Sequence, residues 1–117
     1  MTFAPLAGIR VVDLTSSLAG PTCTETLAAL GADVVKVEHP ARGDEARAWG
    51  PRFFEGGSVM FFAANRSKRS LALDVKDPDG HAALLRLVDR ADVFVQSLRA
   101  GTAERLDNPE YRENVLR

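Results

Sequence analysis

Along this chain, short runs rich in β-branched residues alternate with stretches in which hydrophobic residues recur at the spacing of a helix. Residues 9–14 and 33–38 are mostly apolar and predict two buried strands. The residues between them predict a helix that stops before Gly31, a natural residue for a helix C-terminus. Short loops on both sides of that helix indicate a βαβ unit, whose strands run parallel with a right-handed crossover.

Two further patterns describe the helix of this first unit. Thr22 and Glu25 have the spacing of a capping box, which predicts the helix start. Cys23, Leu27 and Leu30 recur at helical spacing, so we expect them to share the buried face. Cys23 is then a packed small residue and not a reactive thiol.

The middle of the chain has a different character. Residues 40–57 contain two prolines, four glycines and the only tryptophan, which predicts an excursion with little regular structure. Residues 58–64 are an apolar run that fits either a short helix or a short strand.

A second βαβ unit follows this excursion. Residues 70–73 and 92–96 predict strands, and the helix between them has Asp77 as its N-cap and Pro78 in its first position. Another helix is expected to start at residues 102–106, and Asn108 is expected to cap a last short one. The fold class is therefore α/β, a Rossmann-like parallel sheet built from βαβ units.

The topology directs attention to one edge of this sheet. In an open parallel sheet, ligands bind beyond the carboxyl ends of the strands. Four loops are expected there, formed by residues 15–20, 38–42, 74–76 and 97–101.

Composition narrows the function classes. A chain of 117 residues is one domain at most, and a net charge of −1 argues against nucleic-acid binding, which usually requires a basic surface. Cys23 is the only cysteine, which excludes an internal disulfide and suits a reducing compartment. There is no signal-peptide pattern, and the longest apolar run is too short to span a bilayer. We expect a cytoplasmic protein without a membrane partner.

Candidate chemistry is concentrated in cationic and loop residues. The first loop opens a helix, where backbone N–H groups favour a phosphate or carboxylate, although a capped tight turn explains the same sequence. Arg66, Lys68 and Arg69 suit an anionic ligand or, equally, a solvated basic loop. Arg42, Arg47 and Arg52 alternate with acidic residues and are expected to be surface charges.

Other common sites lack their sequence patterns. There is no G-x-G-x-x-G after the first strand and no Walker lysine motif, which argues against a dinucleotide or P-loop enzyme. His39 and His81 have no metal-ligand spacing with each other or with Cys23, so no metal site is predicted.

Several dispersed motifs occur in order between residue 5 and about residue 106. They are Pro5-Leu6-x-Gly8-x-x-Val11-x-Asp13, Ala19-Gly20-Pro21, residues 30–38, Gly43-Asp44-x-x-Arg47-x-Trp49-Gly50, Asn65-Arg66-x-Lys68-Arg69-Ser70-x-x-Leu73-Asp74 and Ala91-Asp92-Val93. Together, and without a gap, they resemble the start of the class III CoA-transferases, the formyl-CoA transferase type.

The resemblance implies an architecture and a reaction. Residues 1–117 would form the N-terminal part of a large Rossmann-like, CoA-binding domain, in a larger fold whose two chains interlock as a homodimer. The reaction would move CoA between an acyl-CoA and a carboxylic acid through a covalent aspartyl intermediate. CoA is then a substrate, and no cofactor is permanently bound. The family's catalytic aspartate falls beyond Arg117, so no catalytic residue is assigned and the chain is expected to be inactive alone.

The resemblance also places CoA contacts on the four strand-end loops and on the helix after the last of them. By position these residues are Leu18, Ala19, His39, Leu73, Asp74, Val75, Lys76, Ser97, Leu98, Arg99 and Arg105. His39 stands where some members have arginine, and Gln96-Ser97-Leu98 stands where Glu-Asn-aromatic is usual.

Two alternatives remain open at this point. One is a stand-alone CoA-binding or nucleotide-binding module without catalysis. The other is a relative of the racemases that act on α-methylacyl-CoA, which typically shorten the excursion before the Lys-Arg-Ser motif. This chain keeps residues 43–62 in full, including Trp49, which favours the transferase branch.

Overall fold

The computed structural model describes residues 3–107, in which strands and helices alternate. The elements are β1 (Arg10–Leu14), α1 (Ala19–Ala29), β2 (Asp33–Glu38), a 3-10 helix (Glu45–Ala48), β3 (Phe53–Phe54), β4 (Gly57–Ser58), α2 (Val59–Ala64), β5 (Arg69–Ala72), α3 (Pro78–Asp89), β6 (Val93–Gln96) and α4 (Thr102–Asp107). Four strands form one parallel sheet in the order β5-β2-β1-β6. The predicted α/β class with a parallel sheet is confirmed.

Apolar side chains cover both faces of this sheet. On one face Val11 and Val34 pack with Ala28 of α1. On the other face Val12 and Val37 pack with Leu84 of α3. Successive strand residues alternate between the two faces, which is why neighbouring valines in each strand serve different clusters. The β1 and β2 runs are apolar on both sides because both faces are covered.

The start of α1 differs from the sequence prediction. The helix begins at Ala19, and the N-cap residue Leu18 provides no side-chain hydrogen bond. Thr22 lies inside the first turn, where its N–H donates to the carbonyl oxygen of Leu18 over 2.9 Å. The prediction of a Thr22–Glu25 capping box is therefore wrong. The N–H of Thr22, which the Glu25 side chain would cap, already has a partner inside the helix.

The buried face of α1 is also rotated from the predicted one. Cys23 is exposed, so its prediction as a packed residue is wrong. Pro21, Thr24 and Ala28 are the buried residues of the helix, and Leu27 packs partly against the core. On this side of the helix the Thr24 hydroxyl donates to the buried Asp13 Oδ2 over 2.7 Å.

The excursion contains only short regular elements. Strands β3 and β4 pair antiparallel, and the 3-10 helix precedes them. The ambiguous run resolves into α2, because the Ser58 side chain accepts a hydrogen bond from the N–H of Phe61 and caps a helix there.

The remaining sequence predictions agree with the structure to within a residue or two. Asp77 caps α3 by accepting from the N–H groups of Asp79 and Gly80, and Pro78 follows it. Gly31 has φ of +102° after α1, as its predicted role requires. The predicted cap at Asn108 lies outside the described residues. Within residues 3–107, no helix has the length and apolarity needed to cross a membrane.

Gly80 allows α3 to approach the end of β5. A Cβ at this position would lie 1.9 Å from the backbone oxygen of Asp74. We expect Gly80→Ala to lower the free energy of unfolding by about 3 kcal/mol, because backbone must shift to relieve the overlap. Urea denaturation followed by circular dichroism measures the loss.

Gly56→Ala is the control for this substitution. A Cβ at Gly56 meets no heavy atom within 4 Å, but the residue has φ of +81°. The expected cost is only the left-handed backbone penalty of about 1–2 kcal/mol. A Gly80 variant no less stable than the Gly56 variant would contradict the close packing described here.

Candidate functional site

The carboxyl edge of the sheet has a topological switch point between β1 and β6. The chain proceeds from β1 outward to β2 and β5, then returns across the sheet to β6 on the other side of β1. Ligand sites of open parallel sheets form where the strand order reverses in this way. The loops after β1 and β6 meet there, because the N–H of Ser16 donates to Ser97 Oγ over 3.0 Å.

The first of these loops packs tightly against the start of α1. A Cβ on Gly20 would lie 2.5 Å from Thr15 Cβ, so only glycine fits at that position. Leu18 is 47% exposed, and Ala19 beside it is also exposed. Since α1 has no side-chain cap, the predicted residues Leu18 and Ala19 present the amino end of a helix to solvent at the switch point.

A buried ion pair lies beneath this loop. Lys68 Nζ is 3.0 Å from Asp13 Oδ2, and the two side chains are almost completely buried. Asp13 also accepts from the N–H of Thr15 and from the Thr24 hydroxyl. Burial alone would raise the pKa of Asp13, but hydrogen bonds from Thr15, Thr24 and Lys68 together hold that pKa below its ordinary value. Asp13 is therefore a carboxylate in the folded protein.

A second buried pair lies beside the first. Lys36 Nζ is 2.9 Å from Asp44 Oδ2, and both side chains are buried. Burial would raise the pKa of Asp44, but the hydrogen bond from Lys36 and those from backbone N–H groups lower it overall. Asp13 and Lys36 are partners in the β1–β2 register, so charged groups replace valines toward the carboxyl end of this sheet face.

A third ion pair attaches the excursion to β2. Arg47 donates to both carboxylate oxygens of Glu38, over 2.8 and 2.9 Å. Its guanidinium carbon also lies 3.9 Å from the centre of the Phe61 ring. Arg42 and Arg52 are exposed, as predicted, whereas the Arg47 side chain is only 37% exposed and forms a bidentate pair.

In the cationic cluster at the start of β5, Arg66 and Arg69 fit the interpretation of a solvated basic loop, whereas Lys68 does not. Lys68 is buried against Asp13, and it also donates to Asn65 Oδ1. Arg66 pairs with Glu25 and Arg69 pairs with Asp33. All three cations have protein carboxylates as partners, but only Lys68 is buried, and the Arg66 and Arg69 side chains are 76% and 69% exposed.

The loops after β2 and β5 also meet. His39 Nε2 lies 3.5 Å from Asp74 Oδ2. Nδ1 of the same ring faces the N–H groups of Ala41 and Arg42, which fits the tautomer with its proton on Nε2. Asp74 accepts from the N–H of Lys76, and this bond is the main cause that lowers the pKa of Asp74.

The side chains of the β5 loop divide between core and solvent. Leu73 and Val75 pack partly against the cluster of Val12, Val37 and Leu84. Both side chains are half-buried, whereas the side chain of Lys76 is exposed. The structure therefore brings His39, Asp74 and Lys76 together, while Leu73 and Val75 pack partly against the core.

The predicted residues after β6 lie at the other side of the switch point. Leu98 is half-buried and lines a groove of about 420 Å³ between α3, β6 and α4. Arg99 is exposed, and its carbonyl oxygen accepts from the N–H of Thr102. Arg105 is exposed on α4 and donates through Nε to the carbonyl oxygen of Gly101 over 3.1 Å. Arg105 is thus held close to the loop that carries Ser97 and Arg99.

Sequence reasoning missed the buried charges that support these loops. Asp13, Lys36 and Asp44 were not predicted to be site residues, yet they fix the first loop. The available signal was a charged residue inside an otherwise apolar strand, as in Val12-Asp13-Leu14 and Val35-Lys36-Val37. A charge at such a position requires a buried partner, although the pattern does not identify which one.

Lys68→Met tests the buried pair. We expect a loss of about 3–5 kcal/mol in the free energy of unfolding, because the substitution leaves the Asp13 carboxylate buried without its cation. Arg66→Ala is the control, since the Arg66 side chain is 76% exposed in its pair with Glu25. Its expected loss is about 1 kcal/mol or less. Similar losses for both variants in chemical denaturation would contradict the distinction.

Acid should destabilise the fold through the same carboxylates. Asp13, Glu38 and Asp44 have pKa values below their ordinary 3.8, 4.5 and 3.8. Their contribution is complete above about pH 4.5 and is lost as the pH falls through the lowered values. The unfolded chain then binds more protons, at a cost of about 1.4 kcal/mol per pH unit for each proton.

Denaturation midpoints between pH 3 and pH 7 measure this effect. The Lys36→Met/Asp44→Asn double variant removes one of the three carboxylates and should show a shallower decline on the acid side. Stability that stays constant down to pH 3 would show that these carboxylates keep ordinary pKa values in the folded chain.

Comparison with known proteins identifies relatives that are much longer. The chain is 46% identical over 97 residues to succinyl-CoA:glutarate CoA-transferase of Mus musculus, which covers 83% of this chain and 22% of that protein. It is 40% identical over 104 residues to formyl-CoA:oxalate CoA-transferase of Bradyrhizobium diazoefficiens, covering 89% and 24%. The chain thus spans about a quarter of the length of these curated relatives.

A solved structure and a family profile agree with these relatives. The crystal structure of a CAIB/BAIF family protein from Brucella suis superimposes with a TM-score of 0.84 at 39% identity. The match covers 97% of this chain and 31% of that one, so the chain has part of that fold. Residues 6–112 match the profile of CoA-transferase family III. This chain belongs to CoA-transferase family III.

Proposed function

We propose that this chain is the CoA-binding part of a class III CoA-transferase, which moves CoA between an acyl-CoA and a carboxylic acid. The observation that carries the proposal is the switch point, where the uncapped start of α1 lies beside the Ser97 loop. Membership of the family and the names of the curated relatives support the reaction class.

Backbone donors suit the phosphate groups of CoA. The start of α1 offers N–H groups and the positive end of a helix dipole, both of which favour an anion. Arg99 and Arg105 lie on the adjacent loop and helix and supply positive charge there. Guanidinium groups form charge-assisted hydrogen bonds to phosphate oxygens, often two at a time. The pyrophosphate and 3′-phosphate are the groups that we assign to these donors.

The loops after β2 and β5 provide the second part of the proposed site. His39 presents a ring edge beside Asp74, and Lys76 adds a cation. An imidazole stacks on a nucleobase without contributing the charge of an arginine. Since Leu73 and Val75 pack inward, we assign only their backbone groups to ligand contact. Leu18, exposed at the switch point, is assigned to an apolar part of CoA.

We propose that the reaction passes through a covalent aspartyl intermediate whose nucleophile is not among residues 1–117. The chain alone is then inactive, and the complete enzyme works as an interlocked homodimer with a second copy. The alternative is a CoA-binding module without catalysis. The two proposals differ in one expected result: adding a segment that carries the nucleophile restores CoA transfer under the first proposal and not under the second.

Calorimetry with CoA tests the binding part of the proposal. We expect the chain to bind CoA more tightly than NAD, and Arg105→Ala to weaken CoA binding by about 1.5–3 kcal/mol through loss of a charge-assisted contact. The difference should shrink at high salt, because Arg105 is exposed. Arg90→Ala is the control, since this exposed arginine follows α3 at the opposite edge of the sheet.

Two results would contradict this assignment. Equal CoA affinity in the wild-type and Arg105→Ala chains removes Arg105 from the site. Tighter binding of NAD than of CoA overturns the ligand class. Separately, transfer from an acyl-CoA to a carboxylic acid by the purified chain, above a control without protein, would overturn the claim that the nucleophile lies elsewhere.

A further inference from the structure

Three consecutive residues of the first loop are held by three different parts of the fold. The carbonyl oxygen of Thr15 accepts from Lys36 Nζ over 3.0 Å. The N–H of Ser16 donates to Ser97 Oγ, and the N–H of Ser17 donates to Asp44 Oδ1, each over 3.0 Å. Strand β2, the β6 loop and the excursion therefore all contact the loop immediately before Leu18 and Ala19.

Asp44 is the point where the excursion contacts this loop. Its Oδ1 accepts from the N–H groups of Ser17 and Ala46, and its Oδ2 accepts from Lys36. Its own N–H donates to Glu38 Oε2 over 2.7 Å, which fixes the residue to the end of β2. Asp44 is 3% exposed, so water does not compete for these bonds.

Two hydrogen bonds to the excursion hold Ser17 in an unfavourable backbone conformation: its N–H donates to Asp44 and its hydroxyl donates to Glu45. Ser17 has φ of +72°, in the left-handed region that non-glycine residues seldom adopt. A residue in this region needs surrounding contacts to hold it there. The next residue, Leu18, is the N-cap of α1, so the conformation of Ser17 sets the direction in which the helix start points.

We propose that Asp44 is a positioning residue of the CoA site, which acts through Ser17 to hold the start of α1 in its binding orientation. This inference rests on the proposed function, since it concerns how the same site is assembled. It gives the excursion of residues 40–57 a role in binding: the excursion supplies the acceptor that β1 and α1 lack for Ser17.

Two double variants test the hydrogen bonds that Asp44 Oδ1 accepts. Lys36→Met/Asp44→Leu and Lys36→Met/Asp44→Asn both remove the buried charges, and apolar replacement of a buried pair often leaves stability unchanged. Only the asparagine variant retains an oxygen that can accept from the N–H of Ser17. A difference between the two therefore reports on the Oδ1 hydrogen bonds from Ser17 and Ala46 and not on the ion pair. The backbone conformation of Ser17 distinguishes the first of these bonds from the second.

CoA affinity and the Ser17 conformation are measured on the full chain. Calorimetry gives the affinity at a temperature where circular dichroism shows both variants to be folded. The one-bond NMR coupling between the α carbon and the α proton of Ser17, which is smaller at positive φ than at negative φ, reports the sign of φ without ligand. We expect the leucine variant to bind CoA roughly tenfold more weakly than the asparagine variant. Its Ser17 coupling should change toward that of a negative φ.

Ser17→Pro provides an independent variant if the leucine variant does not fold. Proline removes the same donor and fixes φ near −65°, while the buried Lys36–Asp44 pair stays intact. The same loss of about tenfold in CoA affinity is expected. Unchanged affinity in this variant, with the fold retained, overturns the proposal.

The remaining outcomes separate this inference from the proposed function. Equal CoA affinity in the two double variants, or an unchanged Ser17 coupling in the leucine variant, overturns the role of Asp44. Absence of CoA binding by the wild-type chain overturns the proposed function. The Ser17 coupling then still decides whether Asp44 sets the loop conformation, because it is measured without ligand.

Discussion

Burial of charge on one face of the sheet is the constraint on which the carboxyl edge depends. Val11 and Val34 give that face an apolar amino half, whereas Asp13 and Lys36 give it a charged carboxyl half. Each buried charge needs a partner, because an unpaired ion in the interior costs several kcal/mol. The partners come from segments that are distant from β1 in the sequence. The need to pair each buried charge therefore brings the loops together.

The energetic role of such pairs differs from that of apolar packing. Apolar contacts are nonspecific in direction, and they tolerate substitutions of similar volume. A carboxylate that accepts from Thr15, Thr24 and Lys68 has geometrically defined partners, so it fixes where a loop and a helix lie. The net gain in stability from a buried pair is small, but breaking one partner is costly. At this edge the polar layer specifies positions, while the valine clusters supply most of the stabilisation.

The sequence predicted the sheet more successfully than the supports of the site. Strands β1 and β2 are recognisable because β-branched residues on both faces are typical of a covered parallel sheet. Asp77 and Pro78 give α3 a clear start, whereas the start of α1 at Leu18 has no capping residue to mark it. The apparent capping box of Thr22 and Glu25 was misleading for this reason. A local sequence pattern predicts hydrogen bonds between residues close in sequence, whereas the start of α1 is held by contacts between residues distant in sequence.

The four strand-end loops were predictable from topology alone, but their internal arrangement was not. Asp13 and Lys36 are visible as charges in apolar strands, yet their partners Lys68 and Asp44 lie in other parts of the chain. The inward packing of Leu73 and Val75 likewise depends on α3, which follows them in the chain. Ion pairs and side-chain burial between residues so far apart in sequence depend on the assembled fold. The sequence around each residue does not identify its partner.

The strand order also determines when the edge can assemble. Strand β1 pairs with β2, which follows it closely, and with β6, which comes late in the chain. The N–H of Arg10 reaches Asp92, 82 positions away, and Ser16 reaches Ser97 at a similar separation. Contacts between residues so distant in sequence slow folding, because the chain must lose the entropy of closing a long loop before the contacts can stabilise it. During synthesis from the N-terminus, the central strand therefore remains open on one side until β6 emerges, and the switch point is among the last parts of the sheet to form.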